Sequence, residues 1–370
     1  MKLINYLFAT LLFITFSAKA QKSEQELRQL ADQIAHKYII TDGHVDLPYR
    51  LKIKHFRLER EYLGIPVSTK DGDFDYERAK KGGLSAPFMS IYIPSSYQQT
   101  GGAKELADSL INMVRGIAAA LPDKFAVVTT PKEVDANFKE GIISLPMGME
   151  NGAPLLKIED VAYFRKRGIS YVTLTHGKDN QICDSSYDST FTNKGLSAYG
   201  REVVQEMNRV GIMVDVSHIS DDAFYQVMEL SKQPVIASHS SCRYFTPKFK
   251  RNMSDDMIKL LAKKGGVIQI NFGSSFLNEN YGKDRNPAFL ADVETVADHI
   301  DHVVKLTGGM KNVGLGSDFD GVGESLPTGL KDVSQYPNLI YVLLKRGYTE
   351  DDLANILYRN VWRVWQKNVR

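Results

Sequence analysis

The chain has 370 residues, with 46 Lys and Arg against 44 Asp and Glu and a formal net charge of +2. So even a balance gives no reason to expect nucleic acid or an anionic membrane surface as a partner. An ordinary apolar fraction of 43% can bury a large core, and two cysteines, Cys183 and Cys242, are too few for a disulfide framework; whether they pair is left open.

The first twenty residues read as a signal peptide and fall outside the fold. Lys2 supplies a basic start, Tyr6 to Phe16 an apolar stretch short of a comfortable membrane span, and Ala18-Lys19-Ala20 a small-x-small cleavage site before Gln21. No cysteine offers a lipid attachment point there. Cleavage would remove Lys2 and Lys19 and no acid, leaving 44 basic against 44 acidic residues. The expectation is an exported protein, periplasmic or secreted, without a stable membrane anchor.

From residue 21 to 370 a single domain is expected. Apolar, β-branched runs predict strands at 38–42, 86–93, 142–148, 171–175, 212–216, 235–237, 266–270 and 313–315. Helical patterns at 103–120, 158–167, 197–210, 220–231, 254–264 and 292–306 fall among them. Ser254 followed by acids, and Gly265-Gly266 at the far end, give one of these helices the expected start and stop. Eight strands alternating with helices argue for a (β/α)8 barrel of the TIM type, with an open doubly wound sheet as the alternative.

Polar residues collect at the C-terminal ends of these strands, where such a barrel gathers its catalytic groups. They are His44 and Asp46 in TDGHVDLPYR, Glu150 in PMGMENG, His176 in LTHGKDN, His218 in VDVSHIS, His239 in VIASHSS and Asp318 in GLGSDFDG. Any one could be a hydrogen-bonded structural residue or a turn acid; as a set they point to a site. His36, His55, His299 and His302 lie elsewhere and suit solvated or packing roles. Histidine nitrogen and carboxylate oxygen without thiolate favour a catalytic zinc or related transition metal. Three histidines and two acids exceed the ligands of one catalytic zinc. Two ions sharing a bridging carboxylate account for the number, with a water between them that is a hydroxide near neutral pH.

Together the motifs DGHVDLP, ENG, LTH with ICDSS, GLSAYGREVVQEMNRVGIMVDVSHIS, PVIASHSSCR, RNMSDDMI, GSDFDG and RNVWRV resemble the membrane dipeptidase (renal dipeptidase) family of zinc peptidases, from about Thr41 to Trp365. The resemblance implies a metal-dependent hydrolase barrel with two Zn²⁺ per chain. His44 and Asp46 would hold one ion and His218 and His239 the other, bridged by Glu150. His176 would steady the oxyanion, Arg251 of RNM would grip the substrate carboxylate, and Asp318 would carry the proton from water to leaving amine. Two departures bear on substrate preference. Asn151 stands where the family often has glycine, and Phe276 where some members have a pocket tyrosine.

The function so implied is hydrolysis of dipeptides with a free C-terminal carboxylate. Two alternatives are a same-barrel metal amidohydrolase acting on a lactam or N-acyl amino acid, and a non-catalytic peptide-binding protein. The sequence leaves monomer and homodimer both open.

Overall fold

The computed structural model describes residues 22–54 and 67–369. The predicted signal segment, its cleavage site and His55 lie outside the described residues. Among the described residues ten strands occur in chain order: β1 Ile40–Val45, β2 Leu84–Tyr92, β3 Phe125–Val127, β4 Ile143–Leu145, β5 Met147–Glu150, β6 Ile169–Thr173, β7 Met213–Asp215, β8 Ile236–Ala237, β9 Val267–Ile270 and β10 Val313–Leu315. Eight of them form one parallel sheet in the order β1-β2-β5-β6-β7-β8-β9-β10. Its two edges meet. Val45 bridges Phe319 in parallel, the Asp46 amide donates to the Phe319 carbonyl at 2.9 Å, and the Asp318 amide donates to the His44 carbonyl at 3.1 Å. The sheet is therefore a (β/α)8 barrel, not an open doubly wound sheet.

The seam between β1 and β10 is fastened by a buried acid. Asp42 accepts hydrogen bonds from the amides of His44 and Ser317 and from the Tyr336 hydroxyl. The opposite, N-terminal end is plugged by the last helix, Asn360–Asn368. Its Trp365 ring packs 5.0 Å from Phe88, which in turn lies 5.5 Å from Tyr171 inside the barrel. That apolar floor is continuous with Ile39, Met213, Ile236 and Val267 at the strand starts.

Four predicted helix starts prove to be caps. Ser197, Ser220, Ser254 and Asp292 each accept a backbone N–H three residues on, which satisfies a donor the helix cannot. One predicted strand is corrected. The run 142–148 is two strands, since Ile143–Leu145 pairs with β3 in a separate two-stranded sheet and the chain enters the barrel only after Pro146. Proline has no N–H to give a ladder, so the run breaks there, while the Pro146 carbonyl still accepts from Met89 in β2 at 2.8 Å. Among the described residues no helix is long and apolar enough to cross a membrane.

Candidate active site

Every candidate residue chosen from the sequence lies at the C-terminal mouth of the barrel or lines it. His44 is inside β1, and Asp46 follows it as the N-cap of the helix Leu47–Ile53, so the strand-to-helix turn brings both to one point. His44 Nε2 lies 3.5 Å from Asp46 Oδ2. Glu150 ends β5 and stands between two groups of histidines. Its Oε2 is 3.3 Å from His44 Nε2, whereas its Oε1 is 3.0 Å from His218 Nε2 and 3.2 Å from His239 Nε2. His176 Nε2 is 3.7 Å from the same Oε1. His218 and Asp318 both take left-handed backbone, with φ of 70° and 65°, which marks both loops as held in sparsely populated conformations by their surroundings.

The electrostatics favour a cation at this point. Burial alone would push Glu150 up, but the rings of His44, His176, His218 and His239 outweigh it and hold the carboxyl well below its ordinary range. Burial lowers His218 and His239 far below ordinary imidazole. His44 goes the other way, because Tyr171, Glu150 and Asp46 more than offset its burial. Burial, with Asp46 and Glu150 adding to it, pushes Asp318 up to about 7 against the pull of His44. The buried atoms His44 Nε2, Asp46 Oδ1 and His218 Nδ1 have no hydrogen-bond partner. Three groups, His44–Glu150–His239, Glu150–His176–His218 and His44–Asp46–Asp318, each bring their ligand atoms within 4.8 Å of one another. The orphaned His44 Nε2 faces Glu150, and imidazole and carboxylate donors gathered this closely fit a transition-metal centre.

Arg251 is 3% exposed, too buried for the surface role a basic loop would suggest. Its Nη1 donates to Ser240 Oγ at 2.7 Å and its Nη2 to the His239 carbonyl at 2.9 Å, while Nε has no partner. The guanidinium stacks 5.2 Å over Phe276. Asp318 Oδ2 accepts from Asn271 at 2.8 Å, which fixes the carboxyl's direction. Beside the cluster opens a cavity of about 670 Å³ walled by Tyr187, Phe249 and Phe276 and reaching Gly321. Tyr187 connects it to the histidines, its ring 5.8 Å from that of His218.

Of the two departures, Phe276 does line this cavity. Asn151 is engaged in a structural network next to Glu150. It occupies φ +79°, a conformation asparagine tolerates, and its side chain bonds the Ile93 carbonyl, Gln98, the Ala153 amide and Asn180, tying together the loops after β2, β5 and β6. Cys183 and Cys242 are both free and buried. His299 is a packing residue, its ring tilted 4.4 Å from that of Phe245, and His302 bonds Asp255 at 2.8 Å. The exposed His36 bonds the Asp32 and Lys80 carbonyls. Sequence reasoning passed over Tyr92, whose ring packs 4.9 Å from His176, and Tyr171, Asp215 and Ser238 behind the ligands. Asp215 carried a signal, an acid in the middle of an otherwise apolar β run.

Comparison with known proteins decides the family. The profile of the membrane dipeptidases, peptidase family M19, matches residues 28–370. The chain belongs to the membrane dipeptidase family. It is accordingly a metal-dependent dipeptidase, a peptide-bond hydrolase. An uncharacterized dipeptidase of Schizosaccharomyces pombe is 34% identical over 345 residues, 88% of this chain and 80% of its own. Dipeptidase 3 of Rattus norvegicus is 33% identical over 350 residues, 93% of this chain and 68% of its own. A metallopeptidase from Rhodobacter sphaeroides, solved with a phosphinate mimic of the dipeptide L-Ala-D-Ala, superposes with a TM-score of 0.79 at 26% identity, covering 90% of this chain and 99% of the other. The resemblance seen in the motifs and the barrel fold are thereby both established for this membrane dipeptidase.

Proposed function

We propose that this membrane dipeptidase is an exported two-zinc enzyme that hydrolyses dipeptides bearing a free C-terminal carboxylate. The observation that carries the specificity is Arg251. It is a buried guanidinium beside the metal-ligand cluster with no carboxylate within 4.0 Å among the described residues. A buried cation without a counter-charge is costly, and a substrate carboxylate meets its planar fork with charge-assisted hydrogen bonds.

His44 and Asp46 would hold one ion and His218 and His239 the other, with one Glu150 oxygen facing each pair. When bound, such ions supply Lewis acidity at the carbonyl and acidify water. The chain's own groups do the rest. Arg251 binds the C-terminal carboxylate and so sets the scissile carbonyl in register. His176, kept neutral by burial, donates a hydrogen bond to the carbonyl oxygen as negative charge develops on it. Asp318 takes the proton of the attacking water on its carboxylate and delivers it to the departing amine nitrogen. Export rests on the N-terminal segment, and N-terminal sequencing of the mature protein should begin at Gln21.

The test is a panel of dipeptides, including L-D pairs, with C-amidated and N-acylated controls, and with metal content measured on the same preparation. Amidation should lower kcat/KM by an amount on the order of 2 to 5 kcal/mol, and Arg251→Ala should abolish the discrimination. Equal rates on free and amidated dipeptides would overturn the assignment of Arg251. Preferential cleavage of N-acyl amino acids would favour an amidohydrolase.

A further inference from the structure

Two hydroxyls inside the barrel touch the candidate ligands from behind. Tyr171 Oη lies 2.9 Å from the Gly43 carbonyl oxygen and 2.9 Å from His44 Nδ1. A carbonyl can only accept, and a phenol has one proton, so Tyr171 donates to Gly43 and must accept from His44 Nδ1–H. When His44 gives up a proton to bind metal as neutral imidazole, the nitrogen left to coordinate is therefore Nε2, the atom that faces Glu150 and has no hydrogen-bond partner.

The same logic holds across the site. Ser238 Oγ lies 2.6 Å from Asp215 Oδ2 and 2.7 Å from His239 Nδ1. The carboxylate accepts, so Ser238 donates to Asp215 and accepts from His239 Nδ1–H, leaving His239 Nε2 bare toward Glu150. Asp215 is anchored by three more donors, the amides of Ser217 and Ser238 and the Thr173 hydroxyl, at 3.1, 2.8 and 2.5 Å. Tyr171, Asp215 and Ser238 are all fully buried. Room for the phenol is made by Gly148, where a Cβ would sit 1.9 Å from Tyr171 Cζ.

We infer that Tyr171 and Ser238 are positioning residues that lock His44 and His239 in the tautomer presenting Nε2 to the metals. The inference rests on the two-zinc assignment above. Neither hydroxyl reaches substrate; each acts through a ligand, as a hydrogen bond to the far nitrogen of a metal-binding histidine does in general. The two relays end differently, on the Gly43 carbonyl and on the Asp215 carboxylate.

Tyr171→Phe and Ser238→Ala each remove one oxygen and keep the packed volume. Zinc content and zinc Kd, from chelator competition, would be measured beside the Tm of the metal-free proteins. The expected result is zinc binding about 10–100-fold weaker in each variant. The metal-free Tm should stay close to wild type, and dipeptidase activity should return when zinc is raised above the new Kd. Unchanged Kd in both variants would overturn the inference, as would a fall in metal-free Tm with Kd unchanged, since that is a structural role. Wild-type protein that binds no zinc would overturn the two-zinc assignment together with it.

Discussion

The Nε2 atoms of His218 and His239 face each other at 2.9 Å. Burial lowers the basicity of both rings, so at neutral pH no extra proton is held between them. With the His239 proton on Nδ1, this contact is filled either by an N–H on His218 Nε2 or by metal, and on the two-zinc assignment both Nε2 lone pairs face the ions. Exhaustive chelation should therefore strip about two ions per chain and lower Tm, and zinc at 100 times Kd should restore about 2.7 kcal/mol for each site refilled. Glu150→Gln should lose both ions, because each histidine group faces one of its oxygens. Elemental analysis showing one tightly held ion and full activity in that variant would contradict the bridging role.

Asp318→Asn keeps the side chain's shape and its neighbour Asn271 while removing the capacity to carry a proton. Zinc should stay bound and kcat should fall by about 10²–10⁴-fold, as expected for a lost acid–base group. Metal loss in proportion to activity would make Asp318 a ligand. The pH dependence has a defined sign. Without metal the carboxyl is protonated below about pH 7, so zinc must displace that proton, and apparent zinc affinity should rise from pH 6 to 8. The slope should be shallower in Asp318→Asn.

Gly321 is exposed, yet a Cβ there would stand 2.3 Å from Asp46 Oδ2 and 2.4 Å from Asp318 Oδ1. Gly321→Ala should leave Tm nearly unchanged while pushing the two carboxylates apart. Displacements of this size at reacting groups can cost about 10²-fold in rate. Steady-state kinetics beside a thermal melt would separate the two effects.

His299 gives a prediction about acid stability. Its Nδ1 accepts from the Cys242 amide at 3.1 Å and its Nε2 faces the Leu277 carbonyl at 3.3 Å, so the fold needs the neutral ring. Burial lowers it to about 3. The unfolded chain takes up a proton below about 6.5, so this contribution is complete above that pH and is lost as the pH falls toward 3, on the order of 5 kcal/mol over the whole window. His299→Gln should therefore cost most at neutral pH, and its difference from wild type should shrink on acidification. Urea melts at several pH values would show it, and a constant difference would refute it.

The barrel and the cluster at its mouth were legible because the strand ends carry an unusual set of polar groups on apolar, β-branched runs. His44, Glu150, His218, His239 and Asp318 stand out against such neighbours without any knowledge of the fold. What escaped were residues that look like core. Tyr171 sits in an apolar strand, and only the ring's reach across the barrel to Gly43 and His44 gives its hydroxyl a purpose. The break at Pro146 was visible in the sequence, but the apolar run on both sides concealed that it joins two different sheets. The RNM motif names Arg251, but the residue's burial was not visible beside Lys248 and Lys250, because only tertiary packing sets the guanidinium against Ser240 and Phe276.

The seam closed by Asp42 and Ser317 joins residues 275 positions apart. His44 and Asp46 enter the site from the first barrel strand, and Asp318 enters only after the last. A growing chain thus carries most of the candidate ligands without Asp318, and on the mechanism proposed above cannot hydrolyse anything until roughly its last seventh has been made and docked. Contacts of such long range form late and slowly, after much chain entropy has been spent. Activity is in this sense a receipt for complete synthesis, and C-terminal truncations should be inert even where the rest of the barrel collapses.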